Sequence, residues 1–145
     1  MLLGRFCIIH SSLFIFHYSL KSVKLLMDKH NPLLDKSLAF AARIVKLYQY
    51  LVKEKNESII SKQIIRSGTS IGANANEAAY GVSPADFIAK MQIALKETAE
   101  TEYWLRLLIL TDYIEKSHGE SMLNDCLEIK KILTASLKTA KENKK

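Results

Sequence analysis

The sequence predicts an all-α protein, an antiparallel up-down-up-down four-helix bundle, and three observations carry that expectation. Apolar residues recur at three- and four-residue spacing through four separate segments. Glycine and proline are scarce, 5 and 2 in 145 residues, which disfavours a turn-rich β fold. Short polar connections join the segments, and such connections set successive helices side by side and antiparallel. No strand is needed, and no internal repeat or low-complexity linker divides the chain. The expected organisation is one bundle domain over 27–145 behind an atypical segment, 1–26.

That first segment alternates apolar runs with His10, Ser11, Ser12, His17 and Ser19 and has neither steady periodicity nor caps. It lacks the uninterrupted apolar stretch of a secretory signal or a spanning helix, so no membrane association is expected. Met27 opens the regular pattern and reads as the natural initiator. The first helix is expected from about Leu33 to Lys53, behind Pro32 as a start signal, with Leu34, Leu38, Ala41, Val45, Tyr48 and Val52 as its apolar repeat. Ser58 is expected to cap a second helix running to about Tyr80, stopped by Gly81. The third has the strongest start: Ser83 as N-cap, Pro84 at the first helical position and Asp86 three residues after the cap. It is expected to reach about Ile114, roughly 45 Å at 1.5 Å per residue. SHGES reads as the last turn, and the fourth helix as Ser121 to Lys141, with Met122, Cys126, Ile129, Leu133, Leu137 and Ala140 inward and a polar tail.

The stretch Ile64–Ala79 is a helix whose packing face is reduced to small residues. Gly68, Gly72, Ala75 and Ala79 follow steps of four, three and four and share one face, although each helical glycine costs roughly 1 kcal/mol relative to alanine. Tolerating two such costs points to a close helix approach. The expected partner is Ala94–Leu110, where Trp104, Leu105, Leu107 and Leu108 sit among small residues; a loop is the rival reading of SGTSIG.

The formal charge is +6, but Arg5, Lys21 and Lys24 stand in the first 26 residues without any acid, leaving 18 basic against 15 acidic residues from Met27 onward, a net +3. That balance permits polyanion binding without requiring it. Cys7 and Cys126 lie far apart with no CxxC or Cys/His cluster, which suits a reducing, cytoplasmic setting, with Cys126 a small buried residue.

With RSGTSIGANANEAA in the second helix, ALKETAETEYWLRLL in the third and NPLLDKSLAFAARIVKLYQYL in the first, the chain resembles the four-helix-bundle protein family. Members of that family, the 23S rRNA intervening-sequence proteins, were first noticed as reading frames within bacterial large-subunit ribosomal RNA genes and are often labelled as a ribosomal protein. The resemblance covers Met27 to about Leu137. It implies a bundle assembled as a ring-shaped homopentamer and brings no established catalytic residues, cofactor or metal. Related proteins serve as RNA-binding accessory subunits of retroelement reverse transcriptases, which suggests a basic nucleic-acid scaffold by analogy of folds.

Glu77, Glu97, Glu100 and Glu102 invite comparison with carboxylate-bridged metal bundles, which also need two Glu-x-x-His pairs. No helix contains that pair, and His30 and His118 fall in termini or turns, so solvated or capping glutamates are favoured. Ser67, Thr69 and Ser70 have no nearby histidine base, and Arg66–Gly72 lacks a phosphate-loop ending. Glu97, Thr101 and Trp104 form one strip that can meet Asn74 or Glu77, read as a register-fixing hydrogen-bond network in preference to a small-molecule pocket. Trp104 and Leu108 are assigned to core or interface, and Tyr48, Tyr50, Tyr80, Tyr103 and Tyr113 suit subunit contacts. Arg43, Lys46 and Lys53 on the first helix, Lys62 and Arg66 on the second, and Lys130, Lys131, Lys138 and Lys141 on the fourth are the candidate RNA contacts. As ordinary surface charges they are interspersed with Glu54, Glu57 and Glu128; repeated around a ring, they form a cationic surface that grips a backbone. The expected function is therefore a non-enzymatic oligomer associating with RNA or a ribonucleoprotein. The alternatives are a protein-binding adaptor and, last, a small-molecule or metal-binding bundle.

Overall fold

The computed structural model describes residues 31–143, which form four helices and, among the described residues, no strand: α1 (Pro32–Lys53), α2 (Ile60–Ala79), α3 (Pro84–Leu110) and α4 (Lys116–Glu142). The readings made for 1–26, Met27 and His30 lie outside the described residues. Three of the four starts are capped by a side chain, the exception being α4. The Asn31 side chain accepts from the Leu33 N–H at 3.0 Å, and Pro32 supplies a preset φ at the first turn. Ser83 Oγ accepts from the Asp86 N–H at 3.1 Å, and Asp86 Oδ2 accepts in return from Val82 N–H at 3.1 Å, one residue earlier than a capping box places that bond.

At α2 the expected cap is corrected. Ser58 makes no capping bond; the carboxylate of Glu57 takes its place, accepting from the N–H groups of Ile59, Ile60 and Ser61 at 2.8, 2.8 and 2.7 Å. Glu57 is therefore buried, not the solvent-facing charge the sequence suggests. α3 ends at Leu110, short of Ile114, because Asp112 takes a φ of 56° and the Tyr113 N–H bonds the Leu108 carbonyl at 3.1 Å. SHGES is not a turn. It forms the opening of α4, five residues ahead of the expected start, and its glycine serves packing: a Cβ on Gly119 would collide with Ile109 Cγ1.

The neighbouring pairs fix the topology. Gly68 lies against Ile44 and Gly72 against Ser37; Ser67 bonds Thr101 and Glu77 bonds Lys90; Cys126 meets Thr98 and Gly119 meets Ile109; Lys36 pairs with Glu128 and Arg43 with Asp125. On all four seams the residue numbers rise on one helix as they fall on the other, so neighbours are antiparallel and α4 closes back on α1. SGTSIG is helical throughout, with Gly68, Ile71 and Ala75 buried. Its glycine edge, however, meets α1 and not the tryptophan-bearing α3, where Ser67 and Thr101 make the contact instead.

The inward stripe of α1 also differs from expectation. Leu33, Ser37, Phe40, Ile44, Leu47 and Leu51 are buried, each one residue ahead of the apolar repeat read from sequence, and Leu38 in that repeat is 74% exposed. Both stripes step by four and three, so periodicity alone does not choose between them; Ser37 made the true one look interrupted.

Candidate nucleic-acid interface

The cations expected to meet RNA are not all brought to one surface. Arg43 donates to Asp125 and, at 3.1 Å, to Ser121 Oγ, bridging α1 to α4. Arg66 stands 3.8 Å from Glu100 across the α2–α3 seam. Lys130 Nζ donates to Glu102 Oε2 at 2.7 Å, while Arg106 Nε and Nη2 donate to Glu102 Oε1 at 3.1 and 2.9 Å. Held by these two cations, which outweigh its burial, the Glu102 carboxyl lies below the usual carboxylate range. Lys46, Lys53, Lys62 and Lys131 are exposed and make no ion pair among the described residues. The sequence reading missed Arg106 and Lys96, because it grouped charges by helix while the fold sets α3 beside α4.

The helix-packing candidates divide by depth. Gly68, Ala75 and Leu108 are buried, whereas Gly72, Ala79 and Trp104 are half-buried. Trp104 donates its indole N–H to Glu100 Oε1 at 3.2 Å and takes the Tyr103 ring edge-on at 4.9 Å. Tyr48 and Tyr113 are half-buried; Tyr50, Tyr80 and Tyr103 are exposed. The expected polar network does not close on Asn74 or Glu77: Asn74 donates to the Ser70 carbonyl on its own helix, Glu77 accepts from Lys90, and Thr101 donates to Ser67 at 2.9 Å. The register of α2 against α3 is thus held by a buried Ser–Thr pair.

Glu97 is left over. Its Oε2 is buried with no hydrogen-bond partner, and burial, followed by the nearby Glu100 charge, raises its pKa against a smaller opposing pull from Arg66. A raised folded value means that the ionised form is penalised by folding, so its contribution to stability falls as pH rises through that value. Glu97→Gln is expected to raise the melting temperature at neutral pH by a few degrees. The advantage should shrink in acid, where wild-type Glu97 is protonated too. A neutral-pH melting curve for the variant at or below wild type would refute this.

Among the described residues no group of three or more His, Cys, Asp or Glu side chains is placed to hold a metal ion. Cys126 is buried, and burial, with Glu102 next, pushes its thiol up to about 12, leaving an unreactive S–H facing the Thr98 carbonyl. No helix among the described residues is long and apolar enough to cross a membrane.

The family described as 23S rRNA-intervening sequence protein matches residues 29–135. A crystal structure of a protein of unknown function from the S23 ribosomal protein family of Bacteroides thetaiotaomicron is similar at 58% identity, over 73% of this chain and 95% of that one, with a TM-score of 0.72. No curated protein matches the chain.

Proposed function

Because the chain belongs to the 23S rRNA-intervening sequence protein family, we propose that it is a non-enzymatic, self-assembling helical bundle, pentameric as the resemblance implies, that associates with RNA or a ribonucleoprotein through basic surfaces. The assembly rests on one observation: α1 carries a second apolar stripe that the bundle covers only in part, leaving Leu34, Ala41, Tyr48 and Val52 half-buried and Leu38 and Val45 exposed. Leu34, Leu38, Ala41, Val45, Tyr48 and Val52 each follow a core residue of α1 by one position, which turns them past Ser37 and Ile44 to the α2 flank. Leu38 is 74% and Val45 40% exposed. Beside them α2 offers Ile65, Thr69, Gly72, Ala73 and Asn76, small or uncharged residues between which the larger α1 side chains of a second copy can seat. Single exposed apolar residues are ordinary on a protein surface, but a continuous stripe with four-three spacing is the seam of a helix-helix interface.

RNA association is supported by the unpaired lysines and by the family's description. Light scattering on Leu38→Glu/Val45→Glu tests the assembly. The variant is expected to fall to the 16.4 kDa of a single chain with its helical signal intact, since both side chains face outward. Wild-type protein that is already monomeric at high concentration would defeat the proposal.

A further inference from the structure

The charges on this bundle are sorted by face. The acids of α4 that accompany α1, Asp125 and Glu128, are paired with Arg43 and Lys36, and Glu100 on the α2 side of α3 is paired with Arg66. The outer face of the α3–α4 seam is different. Thr98, Glu102 and Ile109 of α3 touch Cys126, Lys130 and Gly119 of α4, so the positions flanking these contacts on the solvent side look out over the seam. They are Arg106 on α3 and Lys130, Lys131, Lys138 and Lys141 on α4, with Lys96 farther round, on the outward face of α3 two turns before Tyr103. Two acids lie among them: Glu142, exposed one turn after Lys138 at the end of α4, and Glu102, which is 15% exposed beneath two cations that bind it together. Lys96, Lys131, Lys138 and Lys141 make no ion pair among the described residues. From Lys130 to Lys141 the array runs on the order of 16 Å at 1.5 Å per residue. In a four-helix square this face lies opposite the apolar α1–α2 flank.

We infer that the α3–α4 face is the surface that receives the phosphate backbone of RNA, with Tyr103 at its edge as a stacking platform for an unpaired base. This rests on the RNA association proposed above and assigns it a place. Tyr103 is 59% exposed and braced edge-on by Trp104, so its ring is presented without a large loss of freedom on binding. An anionic membrane is the less suitable partner, because adsorbed basic helices add a row of large apolar side chains that enter the lipid, and here the exposed aliphatics are two isolated ones, Leu127 at 36% on α4 and Leu110 at 80% on the last residue of α3. Copies joined through their α1–α2 flanks would keep this face turned outward, free for a polyanion.

The test is a salt titration of full-length protein with a single-stranded uridine oligonucleotide, comparing wild type, Lys131→Gln/Lys138→Gln and Lys46→Gln/Lys53→Gln, with circular dichroism confirming that each is folded. Loss of the α4 pair is expected to weaken binding about tenfold or more at low salt and to flatten the slope of log affinity against log salt by about 1.4, two contacts at ~0.7 each for a single strand. The α1 pair should leave both nearly unchanged. If the α1 pair carries the loss and the α4 pair does not, this face is wrong while RNA association stands. No binding by wild type even at low salt overturns both, and retention of wild type on anionic vesicles in place of RNA makes the face a membrane surface and overturns the assignment.

Discussion

Gly68→Leu is expected to destabilise the bundle by about 3 kcal/mol, lowering the melting temperature on the order of 10 °C, because the substitution drives a side chain into a site with no room for its first atom. A Cβ at this position would stand 2.8 and 2.9 Å from Cγ1 and Cγ2 of Ile44 and 3.1 Å from its Cδ1. Ile44 is fully buried and β-branched, so its χ1 cannot swing aside, and α1 would have to withdraw from α2. Even Gly68→Ala, which gains roughly 1 kcal/mol of helix propensity, should lose more than that to the clash. Thermal unfolding followed by circular dichroism measures both. Adding Ile44→Ala to Gly68→Leu should recover part of the loss by vacating the same space; an unshifted melting curve for the single leucine variant would show that the seam is looser than described.

Glu57→Ala is expected to cost about 2 kcal/mol, since it orphans three N–H groups at the start of α2 that a single carboxylate now satisfies, one of them on buried Ser61. The pH dependence gives a second handle. Burial acts to raise the Glu57 pKa, but the N–H groups of Ile60, Ser61 and Ile59 together draw it below the ordinary carboxylate value. A depressed folded value stabilises the protein above the unfolded pKa, and that stabilisation is lost as pH falls through the folded one. The gap between wild type and Glu57→Ala should therefore be full at neutral pH and close in acid, as urea titrations at a series of pH values would reveal. A gap that stays constant into strong acid would mean that the carboxylate charge is not what holds the helix start. Ser58→Ala should change nothing comparable, because its hydroxyl caps no helix.

Helix number, order and approximate extent were legible because amphipathic periodicity, Pro32, Ser83 and Pro84 act within a few residues of themselves, and local chemistry is what a sequence displays directly. The errors at the starts of α2 and α4 share one origin. Ser58 and Gly119 are residues whose types favour caps and turns, and the fold uses them otherwise: Glu57 reaches three donors at once, and Gly119 is small because Ile109 passes over it. The candidate RNA contacts were readable as residue types but not as a surface. Arg43 and Arg66 spend their charge on Asp125 and Glu100, carboxylates 82 and 34 positions away in the chain, and nothing local announces such pairing.

By itself, then, the sequence determined four amphipathic helices, the demand of Gly68 and Gly72 for a close neighbour, and a mildly basic body without a recognisable reaction centre. Only the tertiary structure decided which neighbour that is, which of two equally spaced stripes on α1 turns inward, and which cations remain unpaired. The physical reason is range: periodicity and capping are settled between residues a turn apart, whereas burial, ion pairing and free surface depend on groups that meet only when distant helices pack.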